Sequence, residues 1–185
     1  RFYNYNPYDG DDKVVGSVLA EGCGVSYKDG IFSANSAAII QFFDPNGMPT
    51  AVIASTSLFG SLDKYITENG KLVLLRDSST AKQVRITKAC TIDLNDKTLT
   101  STYKNSSDGY ALILWADVTV KNGTFKVTSG QRGIAACGNF VLDNATVESN
   151  GLVGVGFSTK KCRYEIRNST VKADYAVANF ADGVT

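Results

Sequence analysis

Histidine is missing from this 185-residue chain. Its absence removes Ser-His-Asp and Cys-His catalysis, histidine general bases and histidine-ligated metal sites together. An excess of one charge is missing too: 19 Lys and Arg stand against 18 Asp and Glu, a net charge of +1. Nothing in that balance draws the chain to a polyanion or an anionic bilayer, and no nucleic-acid partner is expected. No stretch approaches the ~18–20 consecutive apolar residues of a spanning helix, so no membrane insertion is expected. The opening RFYNYNPYDGDD has no apolar core of the signal-peptide kind, so an export signal is expected to have been removed or never to have been there. Four cysteines, Cys23, Cys90, Cys137 and Cys162, stand far apart with no Cys-x-x-Cys, against a zinc knuckle or a redox motif. Buried free thiols are the expectation, with a Cys137–Cys162 disulfide as the competing reading.

What is present is an ordinary globular composition, 43% hydrophobic and 20% charged, enough for one good-sized core. Within it lies a repeat. Asn-x-Thr occurs at Asn122-Gly123-Thr124, Asn144-Ala145-Thr146 and Asn168-Ser169-Thr170, and Asp96-Lys97-Thr98 joins as a fourth copy. The threonines fall in one column at intervals of 26, 22 and 24 residues, the drifting period of a solenoid whose coils differ at their loops. Before each Asn two apolar residues alternate, as in Ile92 and Leu94, Val118 and Val120, Phe140 and Leu142, Tyr164 and Ile166; after each Thr comes Leu99, Phe125, Val147 or Val171. Alternation of period 2 makes each coil a strand, a corner at the Asn or Asp, and a second strand. Asp96, Asn122, Asn144 and Asn168 are therefore expected to form a structural ladder, because Asn tolerates the left-handed backbone of a corner and can bond neighbouring main chain. Glycosylation of these sequons, and of Asn105-Ser106-Ser107, is the rival explanation.

Two further patterns keep the same period. YALILWAD from Tyr110 echoes YAVANFAD from Tyr175, with the thin runs RGIAACG and GLVGVGF at the equivalent place between them. Lys121, Asp143 and Arg167 share one outward column, and Lys126, Glu148 and Lys172 another, so facing charges alternate in sign. After Asp182 the residues Gly183-Val184-Thr185 look like the start of a further strand, and the native protein is expected to continue.

Upstream, SLFGSLDKYITENG predicts a capping helix with Ser61 as N-cap and Asn69-Gly70 as its end. Strands are expected over 14–19, 31–34, 37–43 and 50–55, with turns at Lys28-Asp29-Gly30 and Asp44-Pro45-Asn46-Gly47. The chain thus divides into an N-terminal strand and cap region, 1–59, and coils over 60–185; whether the first part forms irregular early coils or a separate cap stays open. The predicted fold is all-β: a right-handed parallel β-helix of about four coils with an N-terminal capping helix and irregular N-terminal strands.

The segment GKLVLLRDSSTAKQVRITKACTIDLNDKTLTS, through 70–77, 86–88 and 92–99, resembles the opening coils of right-handed parallel β-helix proteins of the pectate lyase-like superfamily, found on the surface of gut Gram-positive bacteria. Asp96 stands where that family usually has Gly. The resemblance spans 60–185 and implies an extracellular, cell-surface or secreted module. It leaves a polysaccharide lyase or glycosidase open by analogy.

Catalysis needs converging carboxylates, or a calcium site with an Arg or Lys base. Asp93, Asp117, Arg132, Lys160 and Lys161 share no column, and Asp9-Gly10-Asp11-Asp12 lacks the ligand spacing of an EF-hand loop. No catalytic residue, metal or cofactor is assigned. Binding needs exposed aromatic platforms. Tyr103 and Tyr110, at the ends of a polar loop, are the candidate pair, and Trp115 is as readily core as surface. Adhesin-like binding of a glycan or a host glycoprotein is the leading expectation, and a stalk without a ligand is the third.

Overall fold

The computed structural model describes residues 8–9, 13–14, 22–105, 109–159 and 161–180. The Tyr-rich start, Gly10-Asp11-Asp12, Lys160 and Gly183-Val184-Thr185 lie outside the described residues.

Two short pieces, β1 (Tyr8–Asp9) and β2 (Lys13–Val14), pair antiparallel. Next come β3 (Gly24–Lys28) and β4 (Ile31–Asn35), an antiparallel hairpin. Its turn is the predicted Lys28-Asp29-Gly30, where Asp29 and Gly30 both take positive φ, 52° and 81°, as a two-residue hairpin turn demands. A second hairpin joins β5 (Ile40–Phe43) and β6 (Pro49–Ile53). Asp44 closes that turn by accepting the Asn46 and Met48 N–H groups on Oδ1.

The coils follow. The first contains β7 (Gly70–Leu74), β8 (Ser78–Thr80) and β9 (Val84–Ile86); the second, β10 (Cys90–Ser101) and β11 (Tyr110–Leu114); the third, β12 (Val118–Val127) and β13 (Arg132–Ala136). The fourth holds β14 (Phe140–Ser149) and β15 (Val153–Phe157), and the fifth β16 (Tyr164–Arg167), β17 (Thr170–Lys172) and β18 (Tyr175–Asn179). Successive coils pair in parallel, giving a 9-stranded sheet and a 5-stranded one. The fold is a β-solenoid of stacked parallel coils.

Register follows the repeat. Thr98 pairs with Thr124, Thr124 with Thr146, and Thr146 with Thr170. Inward side chains stack by kind: Leu72, Ile92, Val120, Leu142 and Ile166 make one column, and Val84, Leu112, Ile134, Val155 and Val177 face it from the other sheet. These residues are buried in the inner coils and open in the last, where Ile166 and Val177 are 37% and 45% exposed. Among the described residues there are about five turns where the Asn column suggested four, because the first coil turns its corner on Leu75-Arg76-Asp77 with no Asn; the Asp77 carboxylate receives the Thr98 N–H instead.

At the other end the solenoid is closed. β5 lies antiparallel on β7, setting Ile40 beside Leu74 and Phe42 beside Leu72, so the hairpin carries the coil columns one rung further into the same hydrophobic core. Residues 40–53 are therefore a lid built from the sheet itself, which covers the edge that a solenoid must hide. The helix differs from its predicted form. A 3-10 helix spans Thr56–Lys64 with Ser55 as N-cap, and Ser61 sits at an internal kink, φ −124°. The tighter period sets Phe59 and Leu62 on one face, both buried, and brings that face onto the first coil. Arg76 then straps the coil to the upstream chain, donating to the carbonyls of Gly22 and Ser36 at 2.8 Å.

Candidate functional site

The corners between the paired strands share one backbone conformation. Asn95, Asp96, Asn122, Asn144 and Asn168 all adopt positive φ, between 49° and 58°, the left-handed region that Asn enters at low cost. Their side chains bond along the axis: Asn144 Nδ2 donates to Asn122 Oδ1 at 3.2 Å, and Asn122 Nδ2 to Asp93 Oδ1 at 3.1 Å. One expectation changes here. The rung below Asn122 is Asp93 rather than Asp96, because the second coil carries extra residues between Asp93 and Lys97. Asn144 and Asn168 are exposed at this corner.

Beside the ladder the charge columns pair as their register requires. Asp93 meets Lys121 at 3.7 Å, Arg167 meets Asp143 at 3.1 Å, and Glu148 sits between Lys126 at 3.4 Å and Lys172 at 2.9 Å. Hydrogen bonds from the two lysines, Lys172 first, hold the Glu148 carboxyl below its usual range. A face neutralised rung by rung has little long-range field with which to attract a charged polymer.

The candidates for chemistry are occupied with structure or stand apart. Asp93 accepts from Asn122 and from the Asn95 N–H. Asp117 accepts the Asn139 backbone N–H at 2.9 Å and its side-chain amide at 2.8 Å, bracing the corner between coils. Lys161 is exposed on a turn. Among the described residues, no three His, Cys, Asp or Glu side chains come together as metal ligands would.

The two tyrosines of the candidate binding loop part company. Tyr103 is half-buried at a corner, and its hydroxyl accepts from Asn105 Nδ2 at 3.0 Å. Tyr110 begins β11, fixed there by Gln83 Nε2 donating to its carbonyl at 2.8 Å, and its ring lies over the 5-stranded sheet. The Arg132 guanidinium stands 5.6 Å from the Tyr110 ring centre and 5.6 Å from that of Phe180, a distance at which cation and ring attract. The floor is Gly156: a Cβ there would fall 2.0 Å from the Tyr110 hydroxyl and 3.0 Å from the Phe180 ring. Burial pushes the Tyr110 hydroxyl pKa up, and Arg132 pulls it part of the way back.

Phe180 belongs to a further column. One step beyond the pairing of Leu114, Ala136, Phe157 and Asn179 come Trp115, Cys137, Ser158 and Phe180, the last three donating their N–H groups to the carbonyls of Leu114, Ala136 and Phe157 at 2.8 to 3.1 Å. Trp115 is 59% exposed and Phe180 49%, and Tyr175, at the start of β18, is 60% exposed. Trp115 and Phe180 are separated by three strand spacings, roughly 14 Å. The aromatic surface is thus the 5-stranded sheet and its edge, with Tyr103 off to one side. The signal for it was the echo of YALILWAD in YAVANFAD, which aligns Tyr110 with Tyr175 and Trp115 with Phe180; what the echo lacked was a way to decide that Trp115 points outward.

The cysteines are all free, and only Cys90 is buried; Cys23, Cys137 and Cys162 are half-buried, against the expectation of buried thiols. No protein-family model matches the chain, and neither a curated protein nor a solved structure matches it.

Proposed function

We propose that this chain is an extracellular, cell-surface or secreted β-helix module, of the pectate lyase-like kind known from Gram-positive gut bacteria, that binds a glycan or a glycoprotein in the manner of an adhesin. The observation that carries the reading is the row of exposed rings on one sheet and its edge, Trp115, Tyr175 and Phe180, with Tyr110 half-buried beside them. Sugar rings and glycoprotein surfaces dock on flat aromatic faces, which supply large contact area at small entropic cost. Among the described residues, the opposing 9-stranded sheet carries self-neutralised charge and no exposed aromatic ring.

The test is retention of the purified chain on a panel of immobilised polysaccharides and glycoproteins, with and without calcium, while ultraviolet absorbance follows unsaturated sugar products. Binding predicts retention without products, reduced at least about tenfold by Trp115→Ala, as expected for an aromatic anchor. Product formation would replace this reading with a lyase. Silence in both channels would leave a stalk.

A further inference from the structure

Cys137 follows β13, and Cys162 lies in the link between β15 and β16, 25 residues further on. The Cys162 thiol points at the Cys137 carbonyl oxygen, 3.6 Å from Sγ to O. Thr159 grips the same oxygen, its hydroxyl donating at 2.7 Å, and the Tyr164 hydroxyl donates to the Thr159 carbonyl at 2.8 Å. Tyr164 in turn stacks on Phe157, ring centres 4.0 Å apart. Two of these contacts hold Thr159 and Cys162 to the Cys137 carbonyl, and the other two brace Tyr164 against Thr159 and Phe157. A cysteine's sulfur and its carbonyl oxygen hang from one Cα, so a sulfur held at that oxygen is a side-chain rotation away from the other sulfur. A bridge asks for Cα atoms roughly 4.4–6.8 Å apart and for Cβ atoms that converge to roughly 3.5–4.5 Å.

We propose that Cys137 and Cys162 are a redox-closable pair whose disulfide latches the last described coil onto the third, next to the exposed column that holds Trp115 and Phe180. The oxidant is a small-molecule disulfide. One protein thiolate attacks it, releasing one small thiol and leaving a mixed disulfide; the second protein thiolate attacks the protein sulfur of that adduct, releasing the other small thiol. Two protons leave the cysteines and two electrons pass to the oxidant, so the exchange balances. Selectivity comes from the fold. Cys90 is buried beneath the first coils, and no cysteine besides Cys137 and Cys162 has another cysteine as a neighbour among the described contacts. The consequence falls on β16, β17 and β18, whose columns are the least covered in the solenoid.

The experiment incubates the whole chain with oxidised glutathione and maps its peptides without reduction. The expected product is one Cys137–Cys162 linkage, with thiols titrated after unfolding falling from the four of the sequence to two. Hydrogen exchange of β16–β18 should slow at least about tenfold on oxidation, since a cross-link removes open states of the joined segment. Cys162→Ser should abolish both effects while its circular dichroism stays that of the parent. Should that variant fail to fold, alkylation of the native chain before oxidation serves as the block. Persistent glutathione adducts without a cross-link, a linkage between any other pair, or a cross-link that leaves exchange unchanged would each overturn the latch.

Discussion

Asn144 shows how little of a corner needs its hydrogen bond. Its φ is 49°, it is exposed, and its amide makes one rung with Asn122. A left-handed residue with a Cβ costs about 1–2 kcal/mol, which Asn partly avoids and Gly avoids altogether. Asn144→Ala is therefore expected to lose about 1 kcal/mol in urea melts, and Asn144→Gly clearly less; equal losses would assign the stability to the rung rather than to the backbone. Gly133 is the opposite case. A Cβ there would lie 2.2 Å from the Gly154 carbonyl oxygen, and backbone cannot swing aside. Gly133→Ala should cost about 1–3 kcal/mol by overpacking, while Gly130→Ala, at φ 77° with nothing within 4 Å, should cost only the strain of its φ. The sequence marks Gly133 as a glycine in a thin run, but a neighbour two ångströms away in another coil leaves no trace in local pattern.

Among the elements, the charge column through β12, β14 and β17 makes a pH-dependent contribution. Paired with Lys172 and Lys126, Glu148 has a folded pKa below its unfolded one. Its stabilisation is therefore present at neutral pH, above the unfolded value, and is lost as acid takes the pH down through the folded value. Glu148→Gln should lower stability at neutral pH by about 0.2–1 kcal/mol, as for an exposed pair, and leave acid stability unchanged; an equal loss at both pH values would mean that packing, not charge, is involved. The 3-10 helix at the closed end is worth more. Phe59 is fully buried at the closed end, and Phe59→Ala should cost about 3–5 kcal/mol, with exchange rising first in β8 and β9, on which the helix packs. The alternation and the Asn column made the coils legible. The lid was not, because β5 and β6 read as a hairpin whose further partner, β7 on the β5 side, is fixed only by which solenoid edge lies open.

For the molecule as a whole, burial separates the thiols. Cys90 is pushed up to about 12, first by burial and then by Asp63 and Glu68. It should resist a thiol reagent until the chain unfolds, whereas Cys23, Cys137 and Cys162 should label in the native state. Rapid native labelling of all four would mean that the first coils open readily. Trp115 and Tyr175 carry the binding proposal at this scale, since a platform exists only when strands from several coils bring their rings to one sheet.

By itself the sequence determined the coil: a period near 24, strands that alternate, corners that need Asn, and charges that cancel between neighbours. These are local or nearest-neighbour properties, and each coil sees only the coils beside it. Tertiary structure alone decided what closes the solenoid, that the Asn corners face solvent, that Tyr110 leaves Tyr103 for Arg132 and Phe180, and that Cys162 reaches Cys137. Each of those depends on the path of a link or a lid between strands, where no repeated pattern constrains the chain and the position is set by which surfaces remain to be covered.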